Sequence, residues 1–144
     1  MKAVKHDSVT IFTDGGSRGN PGRSALGFVI KNDKNETIDE FGKYIGETTN
    51  NVAEYMAVIY ALQRALSIGV KNAVIKTDSQ LVARQIKGEY RVKEKQIALF
   101  HGIVNDLAGY FEKIDIVEIP REANKEADRL VNKELDKTIS ESLF

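Results

Sequence analysis

The sequence predicts an α/β fold in which helices flank a mixed five-stranded sheet. Three observations carry that expectation. β-Branched and aromatic runs at residues 9–13, 25–30, 37–45, 73–77 and 114–119 each read as a strand. The first three are joined by short polar or glycine-rich connections, which suit an antiparallel meander, whereas helical sequence long enough for a parallel crossover precedes each of the last two. Acids recur where these elements end or begin: Asp14, Glu54, Asp78 and Asp128.

Length and composition bound the rest. A chain of 144 residues is sized for one domain with its own core, expected over about residues 8–137 with a tail at 138–144. Lys plus Arg equals Asp plus Glu at 21 each, so a polyanion would have to be drawn by a local basic patch or by metal ions. With no cysteine there is neither a disulfide framework nor a thiolate metal site. No apolar run approaches the length of a membrane span, and residues 1–7 lack the apolar centre of a signal peptide. These features predict a soluble, cytoplasmic monomer without a membrane partner.

Taken in order, residues 9–13 run directly into Asp14 and then Gly15-Gly16, so the first strand is expected to end by presenting Asp14 at its tip. An Asp before two glycines is also ordinary turn chemistry. Gly27 and Gly42, inside the second and third strands, predict bulges or a close approach of something to the sheet. Thr48, Thr49, Asn50 and Asn51 are all N-cap residues, and they open a helix over 52–62 whose single charge across three turns is Glu54, with Gly69 closing it. Asn51 and Glu54 have the spacing of a capping box. Against that, a helix apolar nearly all round is buried, where a carboxylate needs a cation.

The strand at 73–77 ends at Asp78, and Ser79-Gln80 starts a helix through Ile86, with either Asp78 or Ser79 able to cap it. Residues 87–95 form a charged connection. Phe100, Ile103, Val104, Leu107, Ala108 and Phe111 then repeat at helical spacing as a core stripe, with His101 beside it in a structural role. After the strand at 114–119, Pro120-Arg121-Glu122-Ala123 leads to Asn124 as N-cap of a last helix that buries Ala127, Leu130, Val131 and Leu135. Asp128 on its early turns is favoured there by the helix dipole alone.

Parallel strands ending in acids point to one crevice, because ligands of such sheets gather at the carboxyl ends of the strands. Four carboxylates without His or Cys make a hard, oxygen-rich site suited to Mg²⁺ or Mn²⁺ rather than zinc. The glycine-rich stretch continues as Arg18-Gly19-Asn20, not as the Lys-Ser/Thr of a P-loop, and no His lies near the acid-bearing elements to make a Ser-His-Asp triad.

The segments 13–22, 48–54, 77–80 and 124–128 resemble, in order and spacing, the type 1 ribonuclease H family, and the resemblance runs from about Val9 to Leu135. It implies a ribonuclease H-like fold and an endonuclease that cuts the RNA strand of an RNA–DNA hybrid, leaving 3′-hydroxyl and 5′-phosphate ends. Asp14, Glu54, Asp78 and Asp128 would be the catalytic, metal-binding acids, holding two ions, Mg²⁺ or alternatively Mn²⁺. Asn20, Asn50, Asn51 and Gln80 match positions that contact the hybrid backbone, and Thr49 one that holds a phosphate of the DNA strand. The chain departs from the family twice. The loop before the last helix lacks the histidine that many members carry, so that either Arg121 or Glu122 substitutes or the role is absent, and residues 87–95 are too short for the basic helical handle of some members. A same-fold binding module that has lost catalysis would not keep all four acids, and integrase- or resolvase-type nucleases space theirs differently.

Overall fold

A computed structural model describes residues 6–137, so the 138–144 tail lies outside the described residues. Five strands, β1 (Ser8–Gly19), β2 (Gly22–Lys31), β3 (Thr37–Thr48), β4 (Asn72–Thr77) and β5 (Lys113–Glu118), form one sheet in the order β3-β2-β1-β4-β5. β1, β2 and β3 are antiparallel neighbours, and β4 and β5 run parallel to β1. The helices are α1 (Asn50–Ser67), α2 (Gln80–Ile86), α3 (Lys95–Ala108) and α4 (Lys125–Asp136), with a short 3₁₀ turn at Arg121–Ala123. The mixed sheet follows from the connection lengths, as the sequence predicts.

The core explains why β2 reads as a continuous apolar run. Residues Ala25, Leu26, Phe28, Val29 and Ile30 are all fully buried, because α1 covers one face of the strand and α4 the other. On the α1 side, Ile11, Phe28, Tyr55, Val58, Leu62 and Ile75 lie in the main core, and on the α4 side Val131 and Leu135 pack on Ala25 and Tyr44. Arg23 fastens α4 in place: its guanidinium lies over the Tyr44 ring and donates to the carbonyls of Leu135 and Lys137 at 3.0 and 3.1 Å.

One local reading needs correction, and two left open are decided. Asp14 is not the last residue of its strand: β1 continues through the glycines, paired with β2, as far as Gly19. Only the parallel partner stops there, the last β1–β4 pair being Thr13 with Thr77, so Asp14 still stands at the edge where the parallel strands end. Gly27 and Gly42 mark close approach rather than bulges, for a Cβ at 27 would lie 2.8 Å from the Ala127 carbonyl oxygen and one at 42 would lie 3.1 Å from that of Leu130. The register shifts of β2 and β3 fall elsewhere, at Ser24/Ala25 and Ile30/Lys31. Finally, α1 is capped by Thr49, whose hydroxyl accepts from the Val52 N–H, and not by a box of Asn51 and Glu54.

Candidate active site

Glycine at position 15 is what lets α1 meet the sheet. A Cβ there would lie 2.3 Å from the Ala53 carbonyl carbon, so the first turns of α1 rest directly on the β1 backbone. That contact brings Glu54 over the strand, where its Oε1 accepts from the Gly15 N–H at 2.7 Å. Asp14 comes from β1 and Asp78 from the residue after β4. Asp14, Glu54 and Asp78 each offer a carboxylate oxygen, and these oxygens lie within 4.8 Å of one another.

Burial and mutual repulsion make this an unusual cluster. Asp14 is 6% exposed and Glu54 5%, and neither is ion-paired among the described residues. Burial first, then the charge of Asp78 and a hydrogen bond shared with Asp128, push the Asp14 carboxyl up to about 8, against the opposing pull of the Gly15 N–H. Burial also holds Glu54 well above the ordinary carboxylate range, reinforced by Asp14 and Asp78 and opposed by the Gly15 N–H and by Arg121. Three crowded oxygens with little positive charge nearby suit a hard divalent ion, which would offset both desolvation and repulsion.

Asp128 stands beside Asp14 but outside that tight group of three. Asn132, one turn further along α4, donates to Asp128 Oδ2 at 3.2 Å and to its carbonyl at 3.1 Å. All four acids line one hollow of about 290 Å³, which Asn50 and Arg121 also line. Arg121 therefore occupies the crevice from the loop without histidine, and Glu122 is exposed away from it. His101 holds the structural place expected of it, bonded to the Gln85 carbonyl at 2.9 Å and to Asn105.

Of the residues matched to substrate contact, Asn50 alone lines the acid hollow. Asn20 Oδ1 accepts from the Asn50 N–H at 3.0 Å, tying the β1–β2 turn to the start of α1. Thr49 keeps a hydroxyl proton to donate while its oxygen caps the helix. Asn50 and Gln80 are exposed, and Gln80 opens α2 behind Ser79, which accepts from the Val82 N–H and so takes the capping role left open with Asp78. Asn51 faces a second hollow of about 430 Å³ lined also by Leu81, Arg91 and Lys93. Gln85 holds the loop that bears those cations, accepting from the Tyr55 hydroxyl at 2.7 Å and donating to the Arg91 carbonyl at 3.5 Å. Burial pushes the Tyr55 hydroxyl up to about 12, so it stays a donor.

Two residues escaped the sequence reading. Asn132 carried a faint signal, its spacing of four from Asp128 on a helix. Asn124, expected to cap α4, makes no side-chain cap bond and is 1% exposed. Its Nδ2 donates instead to the Thr13 carbonyl at 2.9 Å and to Asp78 Oδ2 at 3.0 Å.

A family model described as "Reverse transcriptase-like" matches residues 12–134. The "Bifunctional protein Rv2228c" of Mycobacterium tuberculosis is 39% identical over 129 residues, 89% of this chain, which spans about a third (35%) of that relative's length. The crystal structure of RNase H1 from the archaeon Halobacterium salinarum superposes with a TM-score of 0.89 at 36% identity, covering 91% of this chain and 99% of that one. LC11-RNase H1, solved in complex with an RNA/DNA hybrid, gives a TM-score of 0.85 at 40% identity over 94% and 99% of the two chains. Sheet order and helices thus define a ribonuclease H-like protein. Within that class, the chain belongs to the type 1 ribonuclease H family.

Proposed function

We propose that the chain is an endoribonuclease that hydrolyses the RNA strand of RNA–DNA hybrids, giving 3′-hydroxyl and 5′-phosphate ends. The observation that carries this reading is the convergence of Asp14, Glu54 and Asp78, oxygens within 4.8 Å, beside Asp128. The hybrid bound to LC11-RNase H1 supports the substrate. Asp14, Glu54, Asp78 and Asp128 would hold two Mg²⁺ ions, with Mn²⁺ an alternative. Such ions, when bound, activate the attacking water and stabilise the leaving 3′ oxygen.

The chain's own side chains supply recognition. Amides of Asn20, Asn50, Asn51 and Gln80 can both donate to and accept from a ribose 2′-hydroxyl, the group that separates RNA from DNA. The Thr49 hydroxyl can donate to a phosphate of the DNA strand. Arg121, lining the acid hollow, brings positive charge to the scissile phosphate from the loop where many members of the family would place a histidine. Arg91 and Lys93 line the neighbouring hollow together with Asn51, and would supply positive charge to a phosphate backbone lying there.

A strand-labelled RNA–DNA hybrid incubated with the protein tests this. Cleavage of the RNA strand is expected with Mg²⁺ or Mn²⁺ and none in EDTA, with 3′-hydroxyl ends on the fragments. Undiminished cleavage in EDTA, or cutting of the DNA strand, would overturn it.

A further inference from the structure

Asn124 carries two energetic costs that a cap residue would avoid. It leaves the start of α4 without a side-chain cap, and its Oδ1 is buried with no partner among the described residues. What those costs retain is a pair of donors. Both hydrogen bonds run from Nδ2, one to the backbone carbonyl before Asp14 and one to Asp78 Oδ2. The amide cannot be turned round, since Oδ1 would then face a carbonyl and a carboxylate with no proton between them.

The position of these partners gives the bonds their meaning. Thr13 and Thr77 form the last β1–β4 pair, so Asn124 spans the gap just above it, where the two strands deliver Asp14 and Asp78. Asn124 also precedes by four residues the acid on α4, and its carbonyl accepts from the Asp128 N–H at 3.1 Å. One residue therefore touches the elements that bear three of the four acids. The Asp78 carboxylate is free to rotate about its last bond unless one oxygen is held, and the Asn124 amide holds it.

We propose that Asn124 is a positioning residue for the acid cluster, locking the rotation of the Asp78 carboxylate and the spacing of the β1 and β4 ends so that the cluster is preformed for divalent cations. The proposal rests on the metal-dependent reading above. Asn124 touches neither substrate nor reacting atoms; it acts through Asp78, as the partners of metal-ligating carboxylates do, and loss of such a partner typically costs about 10–100-fold in metal affinity or activity.

The test compares the parent with Asn124→Ala and Asn124→Ser, the serine keeping one short donor. Mg²⁺ and Mn²⁺ binding is measured calorimetrically on the protein without nucleic acid, the Mg²⁺ midpoint of hybrid cleavage is measured in parallel, and hybrid affinity is measured in EDTA, all well below each variant's melting temperature. Asn124→Ala is expected to weaken metal binding and raise the Mg²⁺ midpoint by about tenfold or more, with Asn124→Ser between it and the parent and hybrid affinity in EDTA unchanged. A purely structural role would lower the melting temperature and leave the metal midpoint where it was, and that result would overturn the proposal. So would failure of both variants to fold. If the parent itself neither binds Mg²⁺ nor cleaves hybrid, the function is misread; if the parent does both and Asn124→Ala matches it, only the role of Asn124 is.

Discussion

Asp14 and Glu54 are ionisable groups kept where ionisation is disfavoured, and this fixes how metal-free stability depends on pH. The Asp14 carboxyl ordinarily loses its proton near 3.8 and in the folded chain near 8. Between those values the folded state binds more protons than the unfolded one, so stability falls as pH rises and its contribution is lost once pH passes the folded value. Glu54 adds a slope of the same sign. In EDTA, Asp14→Asn should be more stable than the parent at pH 8, the advantage shrinking towards pH 4, while turnover with Mg²⁺ is lost. Urea unfolding across a pH series reads this directly, and a variant less stable than the parent at pH 8 would show that Asp14 is a structural acid. These acids stood out in the sequence because a carboxylate before two glycines and a lone charge in an apolar helix are local patterns, even though β1 runs on past Asp14. Asn124 did not, since an asparagine before a helix looks the same whether it caps the helix or reaches 111 residues back to Thr13.

At the scale of elements, the interlock of β1 and α1 decides whether a site exists. Gly15→Ala would drive a methyl group into the Ala53 backbone, so α1 must lift from the sheet and carry Glu54 away from the Gly15 N–H. We expect a loss of about 3 kcal/mol or more in urea unfolding together with a fall in turnover. Gly69→Ala is the matched control: φ is +84° with nothing within 4 Å, so the backbone conformation alone costs about 1–2 kcal/mol and turnover should hold. Equal effects of the two would dismiss the interlock. The same interlock explains which parts of the fold the sequence misled on. Strands are poor in glycine, so residues 15–19 read as a turn, whereas they pair with β2 along their length and Gly15 takes α1 against its backbone. The antiparallel and parallel strand directions and the helix positions, by contrast, followed from hydrophobic period and connection length, which are local.

For the whole molecule, charge sets how it meets a polyanion. With 21 cations balancing 21 anions, long-range attraction is weak and few counterions can be displaced, so hybrid binding should be shallow in salt. The loop at residues 87–95 holds no helical handle, and of its cations Arg91 and Lys93 line the hollow beyond Asn51 while Lys95 begins α3. Replacing Lys93 and Lys95 by Ala should weaken binding and flatten the log–log salt slope by about one unit for each phosphate that is no longer neutralised. Affinity measured in Ca²⁺ over a salt series checks this, and an unchanged slope would mean that the loop is only a connection. The path of the chain through the crevice has a consequence in time. β1 contributes its acid early in the sequence, whereas Asp128 and the Asn124 amide arrive on α4, which is drawn down by Arg23 reaching its final carbonyls. A growing chain on the ribosome thus lacks its complete acid cluster until that helix has emerged and docked.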